Sequence, residues 1–290
     1  MSDIFHGGKI ILDGDIGKLQ ILLTNDDGIQ SPGLWAAADA LSELGFVHVA
    51  APRDQFSGAG RSLPITSDGI ILPTQVVVRG KEWTVYGVGG TPAQAVLHAV
   101  LEILPDMPDL VVSGINYGEN LGTGITASGT VGAALEAASM GIPAIAVSLE
   151  TDPRHHHSYS TDVDFTVAAY FTAMFARMIL KFTMLPDIHV LKVDVPANAT
   201  RETPWQVTRL SRQRYYEPLA PERKTWDVPG VVGYRLSGDP RQDAVDSDVY
   251  ALRVKREVSV TPLSLDMTSR VDLKDFEILL QKPEDQKEEN

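Results

Sequence analysis

The chain has 290 residues and a formal charge of −13, from 25 Lys and Arg against 38 Asp and Glu. That balance argues against a nucleic-acid binder that tracks phosphates with a basic surface, and the lack of cysteine excludes disulfides, thiolate zinc sites and cysteine nucleophiles. An acidic chain that handles an anion needs a local positive charge: a metal ion, arginines or a helix N-terminus.

Residues 1–18 read as an N-terminal extension without the basic-then-apolar pattern of a secretory signal, so a cytoplasmic location is expected. Leu19–Thr24 is apolar and predicts the first strand, followed by Asn25, Asp26, Asp27 and a turn-forming Gly28. Pro32–Leu44 predicts a helix, with Ser31 as N-cap, Pro32 at the first helical position and Gly45 as stop. The run 46–51, FVHVAA, is the next strand, which makes a β-α-β unit with a right-handed crossover. A polar loop over 52–62 carries Ser57. Short β-type runs follow: LPIT, GIILP, QVVV and WTVYGV.

A helix is predicted from Pro92, with Thr91 as cap, and the run PDLVVSGIN is a strand ending near Ser113 and Asn116. Thr130–Met140 predicts a small-residue helix stopped by Gly141 and Pro143, and AIAVSLE another strand. This alternation predicts an α/β fold with a mostly parallel sheet covered on both faces. His155–His157 lie in a predicted loop. Asp162–Phe182 is a long helix that carries Arg177 and is read as buried and not as a membrane span. HVLKVDVP is a strand, 205–265 holds short β-runs, with alternation near 249–263, and 270–282 is an amphipathic helix before a charged tail.

Ligands of open α/β sheets sit beyond the carboxyl ends of the strands. There the loops offer Asp26, Asp27, Ser57 and Asn116, all hard oxygen donors, which suit Mg²⁺, Mn²⁺ or Ca²⁺ better than zinc or copper. The plainer readings are a turn with capping carboxylates for Asp26 and Asp27, and ordinary loop polarity for Ser57 and Asn116. Successive strand residues face opposite ways, so the two aspartates share one ion only if the chain has already left the strand, which Gly28 permits. Ser128, Gly129 and Thr130 stand where a helix starts, and unpaired N–H groups there suit a phosphate. Capping by Ser128 is the competing account, and the favoured one on that motif alone. The segment GGTP, 89–92, is a similar helix start. It is neither a Walker A loop nor a dinucleotide fingerprint, and no G-x-S-x-G elbow occurs.

These segments, ILLTNDDGIQSPG, APRDQFSGAGRSLPIT, GTPAQAV, the stretch from PDLVVSGIN to AIAVSL, and VSVTPLSLDMT, resemble the SurE family of metal-dependent 5'-nucleotidases in sequence and order. The resemblance spans about residues 19–270 and is most specific over 21–149. It implies that Asp26, Asp27, Ser57 and Asn116 ligate one divalent metal ion per subunit, magnesium or manganese. It also implies that Asn116, Ser128, Gly129 and Thr130 lie at the phosphate and Thr91 near the substrate. On this reading 19–235 is a Rossmann-like phosphatase domain and 236–290 a hairpin-and-helix arm that joins a homodimer or homotetramer.

The implied activity is hydrolysis of nucleoside 5'-monophosphates, with 3'-monophosphates and short polyphosphate as further candidates and no nucleic-acid polymer or membrane as partner. Asp26 or Asp27 would be the catalytic group, as general base or as nucleophile; both roles stay open. The rivals are a non-catalytic nucleotide or polyphosphate sensor on the same fold, and an aspartyl-phosphate phosphatase, which the adjacency of the two aspartates disfavours. Two departures from the family pattern stand out. Arg256 and Glu257 replace a usual Gly-Tyr, and the extension before the first strand is long.

Overall fold

The computed structural model describes residues 19–156, 159–181 and 184–281. The extension 1–18, His157, Phe182 and the tail 283–290 therefore lie outside the described residues. Eleven strands and six helices are named here in chain order: β1 Gln20–Thr24, α1 Pro32–Leu41, β2 Phe46–Pro52, β3 Ile71–Val78, β4 Lys81–Val88, α2 Pro92–His98, β5 Leu110–Tyr117, α3 Gly129–Ser139, β6 Ala144–Leu149, α4 Thr166–Lys181, β7 Val190–Val195, β8 Trp205–Val207, β9 Tyr216–Leu219, β10 Gly233–Leu236, α5 Asp248–Tyr250, β11 Val258–Leu263 and α6 Leu273–Gln281.

Nine strands form one sheet in the order β3-β4-β2-β1-β5-β6-β7-β11-β8. The pairs from β2 through β1, β5 and β6 to β7 are all parallel. β11 lies antiparallel to β7, and β3 antiparallel to β4. Parallel strands buried on both faces read as continuous apolar runs, and β5 and β6 do so. In β1 the alternation divides two cores. Ile21 and Leu23 pack with α1 and α4 on one face, and Leu22 with α2 and α3 on the other. β2 lies on one side of β1 and β5 on the other, so the strand order reverses there. Such a reversal opens a crevice at the carboxyl ends, between the loops after β1 and β5. Among the described residues no helix is long and apolar enough to cross a membrane.

Several local expectations change. The run LPIT is no strand, and its Ile65 is fully exposed. α1 stops at Leu41 and not Leu44, and Ser31 precedes it without a side-chain cap bond. α4 begins at Thr166, four residues later than Asp162. The segment 248–255 is not β-type. It forms α5 and a π-helical turn, capped by Ser247, whose hydroxyl accepts the Tyr250 N–H at 3.1 Å. Thr91, by contrast, caps α2 through a reciprocal box with Gln94. An antiparallel hairpin is present, built from β9 and β10 and thus at 216–236, while β11 joins the main sheet.

Arg256 has φ +59°, the left-handed region where glycine is at ease, which accounts for the glycine of the family pattern. Here the side chain holds Glu150 through both guanidinium nitrogens and donates from Nε to Asn198 Oδ1 at 2.9 Å. Burial pushes the Glu150 carboxyl up, but Arg256, the Ala197 N–H and Arg253 bring it net below its ordinary value. Arg256→Gly should relieve about 1 kcal/mol of backbone strain and lose roughly 2 kcal/mol of charge-assisted bonding. A net destabilisation of about 1 kcal/mol in urea unfolding is expected. Because the folded Glu150 value is depressed, the deficit is full above about pH 4.3 and closes as acid protonates Glu150.

Candidate active site

The chain leaves β1 at Thr24, and Asn25 closes the turn. Its side chain accepts the Gly28 N–H at 3.1 Å and donates to the Gly28 carbonyl at 3.0 Å. Gly28 itself has φ +95°, which any other residue would find strained. This turn takes Asp26 and Asp27, both buried, out of the strand's alternation.

Asp26 faces the start of α3. Thr130 donates its hydroxyl to Asp26 Oδ1 at 2.5 Å, and the nearby Gly129 and Thr130 N–H groups favour the charged form of the same carboxylate. Those N–H groups carry the positive end of the helix dipole. They meet the aspartate here, so the helix start holds Asp26 in place. The approach is close: a Cβ on Gly129 would lie 2.7 Å from Asp26 Cβ. Burial nonetheless raises the Asp26 carboxyl above its ordinary value, against the hydrogen bonds that lower it.

Asp27 accepts the Tyr117 N–H at 3.1 Å on Oδ2 and the Gln55 side chain at 2.9 Å on Oδ1. Burial first, then the charge of Asp26, pushes its carboxyl up to about 8. Two adjacent carboxylates that resist joint ionisation form an arrangement that a cation would relieve. Asn116, near the end of β5, donates its amide to the Gly118 carbonyl at 2.7 Å, a bond that uses its nitrogen and not its oxygen. Ser57 is exposed in the loop after β2, and the N–H of its neighbour Phe56 bonds the Asp26 backbone carbonyl at 2.7 Å. Among the described residues no three His, Cys, Asp or Glu side chains come together as a metal cluster. The available donors are thus two carboxylates plus neutral oxygens, which fit a hard cation.

Ser128 accepts the Val131 N–H at 3.1 Å and is the helix cap that the plainer reading named. Thr91 spends its hydroxyl on the Ser62 carbonyl at 2.7 Å and on Gln94, and it holds the loop after β2 against α2. Ser113 lies inside β5, fully buried.

Gln55 was not legible as a site residue. Besides Asp27 it bonds the His156 carbonyl at 2.7 Å, and it joins the histidine loop to the aspartates. The His156 ring in turn lies beside Gly118 and bonds the Tyr234 hydroxyl at 2.8 Å. Only the position of Gln55 at a strand's carboxyl end could have marked it.

A family model described as Survival protein SurE matches residues 21–217. A protein of Thermococcus gammatolerans named 5'-nucleotidase SurE is 44% identical over 267 residues, covering 90% of this chain and 96% of its own length. One of Methanosarcina barkeri with the same name is 40% identical over 275 residues, covering 90% of this chain and 99% of its own. The crystal structure of a SurE protein from Aquifex aeolicus superposes with a TM-score of 0.69 at 33% identity, over 90% of this chain and 99% of that one.

Proposed function

Since the chain belongs to the SurE family, we propose that it is a phosphomonoesterase that hydrolyses nucleoside 5'-monophosphates to nucleoside and phosphate. The observation that carries the reading is the convergence of Asp26, Asp27 and Asn116 at the β1–β5 crevice, with the start of α3 against Asp26. Asp26, Asp27, Ser57 and Asn116 would hold one Mg²⁺ or Mn²⁺. When bound, the ion would neutralise phosphate oxygens and acidify water.

The protein's own part is orientation. Gln55 and Tyr117 fix Asp27 as a ligand, and Thr130 with the α3 amides fixes Asp26. Asp26 then stands where the attacking group must be aligned, and it serves as general base or nucleophile. 3'-Monophosphates and short polyphosphate are further candidate substrates. The resemblance also supports a cytoplasmic homodimer or homotetramer. In keeping with that, α6 buries no residue and exposes Phe276, Ile278 and Leu279.

The test is release of phosphate from AMP and from p-nitrophenyl phosphate, with Mn²⁺ and with excess EDTA after dialysis. Phosphate release from both with Mn²⁺ and a loss of about a hundredfold or more on chelation are expected. Full activity in EDTA would remove the metal from the reading. Nucleotide binding with no turnover under any condition would favour a sensor on the same fold.

A further inference from the structure

The loop between Asn116 and Thr130 carries one candidate ligand at its start and the Asp26 anchor at its end. Its middle is held by a buried group of charges that the chemistry above does not use. Lys192, in the centre of β7, is fully buried. Its ammonium donates to the Asn120 carbonyl at 2.8 Å, to Asp248 Oδ2 at 3.2 Å and to the Asp194 carboxylate. All three of its donors are used. The two carboxylates reach back to the same loop. Asp194 Oδ1 accepts the Asn120 N–H at 2.8 Å, and Asp248 Oδ2 accepts the Gly122 N–H at 2.9 Å. Asp248 Oδ1 also accepts the N–H groups of Ser211 and Val249, each at 2.9 Å, which ties in the segment before β9 and the start of α5. The Asn120 side chain donates to Ser148 on β6 at 2.8 Å.

We propose that Lys192, Asp194 and Asp248 are positioning residues, a buried clamp that sets the Asn116–Thr130 loop at the reacting phosphate. Three charges in a dry interior are a poor way to stabilise a core, since well-packed apolar residues of the same size do so as well or better. What they provide is direction: both backbone groups of Asn120 and the N–H of Gly122 have one arrangement in which they are satisfied. A loop freed from that arrangement carries Asn116 and the α3 start with it. A shift of that kind costs rate even though no clamp residue touches substrate.

The rate readout rests on the phosphomonoesterase reading, whereas the exchange readout does not. Two variants separate positioning from stability. K192M/D194L keeps volume and removes the bonds to Asn120, whereas Asp194→Asn removes one charge and keeps an acceptor oxygen for the Asn120 N–H and for Lys192. For K192M/D194L, amide exchange over 118–127 should accelerate at least about tenfold, and kcat should fall roughly 10- to 100-fold with KM nearly unchanged. Asp194→Asn should keep parental exchange and remain within about threefold of the parental kcat. Parental exchange and kcat in K192M/D194L would overturn the clamp. If that variant does not fold, Asp248→Leu, which leaves Lys192 paired with Asp194 and takes the acceptors from Gly122 and Ser211, decides by the same two readouts. Faster exchange with lower kcat supports the clamp, and parental values of both overturn it. Should the parent itself release no phosphate, the functional reading fails and exchange alone judges the clamp.

Discussion

Asp26→Asn should lower kcat/KM by roughly a thousandfold, with no recovery on added Mn²⁺. The size follows from what surrounds this carboxylate. It receives the Thr130 hydroxyl, with the N–H groups of Gly129 and Thr130 nearby at the start of α3. An amide in its place turns an NH₂ group toward one of these donors, or else gives up the oxygen that faces the phosphate. The α3 start then loses an acceptor, the proposed cation loses a charge, and the reaction loses its base or nucleophile together. Asp27→Asn is the matched control. Asp27 is held from the other side, by Gln55 and Tyr117, and its loss should weaken Mn²⁺ binding and be partly recovered at high Mn²⁺. Titration calorimetry beside steady-state rates separates the two. Equal rescue of both variants by metal would mean that the aspartates do one job and not two.

Gly129→Ala is the second large effect. Alanine is the better helix former by about 1 kcal/mol, so propensity alone predicts a gain in stability. The added Cβ, however, would stand 2.7 Å from Asp26 Cβ and 2.9 Å from Asp26 Oδ2. Real carbons do not approach so closely, and Asp26 has the α3 backbone on one side and β1 behind it. We expect kcat/KM to fall about a hundredfold while the melting temperature changes little, because the aspartate yields before the helix does. Gly124→Ala in the same loop is the control, as nothing lies within 4 Å of its would-be Cβ. Rates there should stay within about twofold of the parent. If Gly129→Ala retains parental activity, Asp26 is not set by contact with α3.

Most of the sheet was legible because β1, β5 and β6 announce themselves as unbroken apolar runs between turn residues, and parallel strands buried on both faces must read that way. The paired aspartates, Asn116 and the α3 start were legible as chemistry placed at strand ends. What failed was local pattern without a partner. LPIT has strand composition but no strand beside it, and 248–255 alternates like β-structure yet winds up because Ser247 caps it and Asp248 is buried. The LKVDV run of β7 was legible as a strand, but the role of its charges was not. Lys192 and Asp194 are wholly buried, and besides each other they bond partners such as Asn120, 72 positions from Lys192, and Asp248, 56 positions from it. No periodicity reveals a partner at that separation. Gln55 was hidden for the same reason, since its value lies in reaching Asp27 and His156 at once.

The strand order has a consequence for how copies of this chain can meet. A nine-stranded sheet ends in two borders, β3 and β8, each with a row of unpaired backbone groups on its outer side. Such borders invite a foreign strand to zip on, and proteins guard them. Here β8 is only three residues long and follows Pro204, while β3 carries Pro73, which has no N–H to offer. Lateral growth of the sheet is discouraged at both ends. Pairing of copies through these two borders is therefore disfavoured, and a variant that straightens and lengthens either border should be more prone to fibre-like stacking.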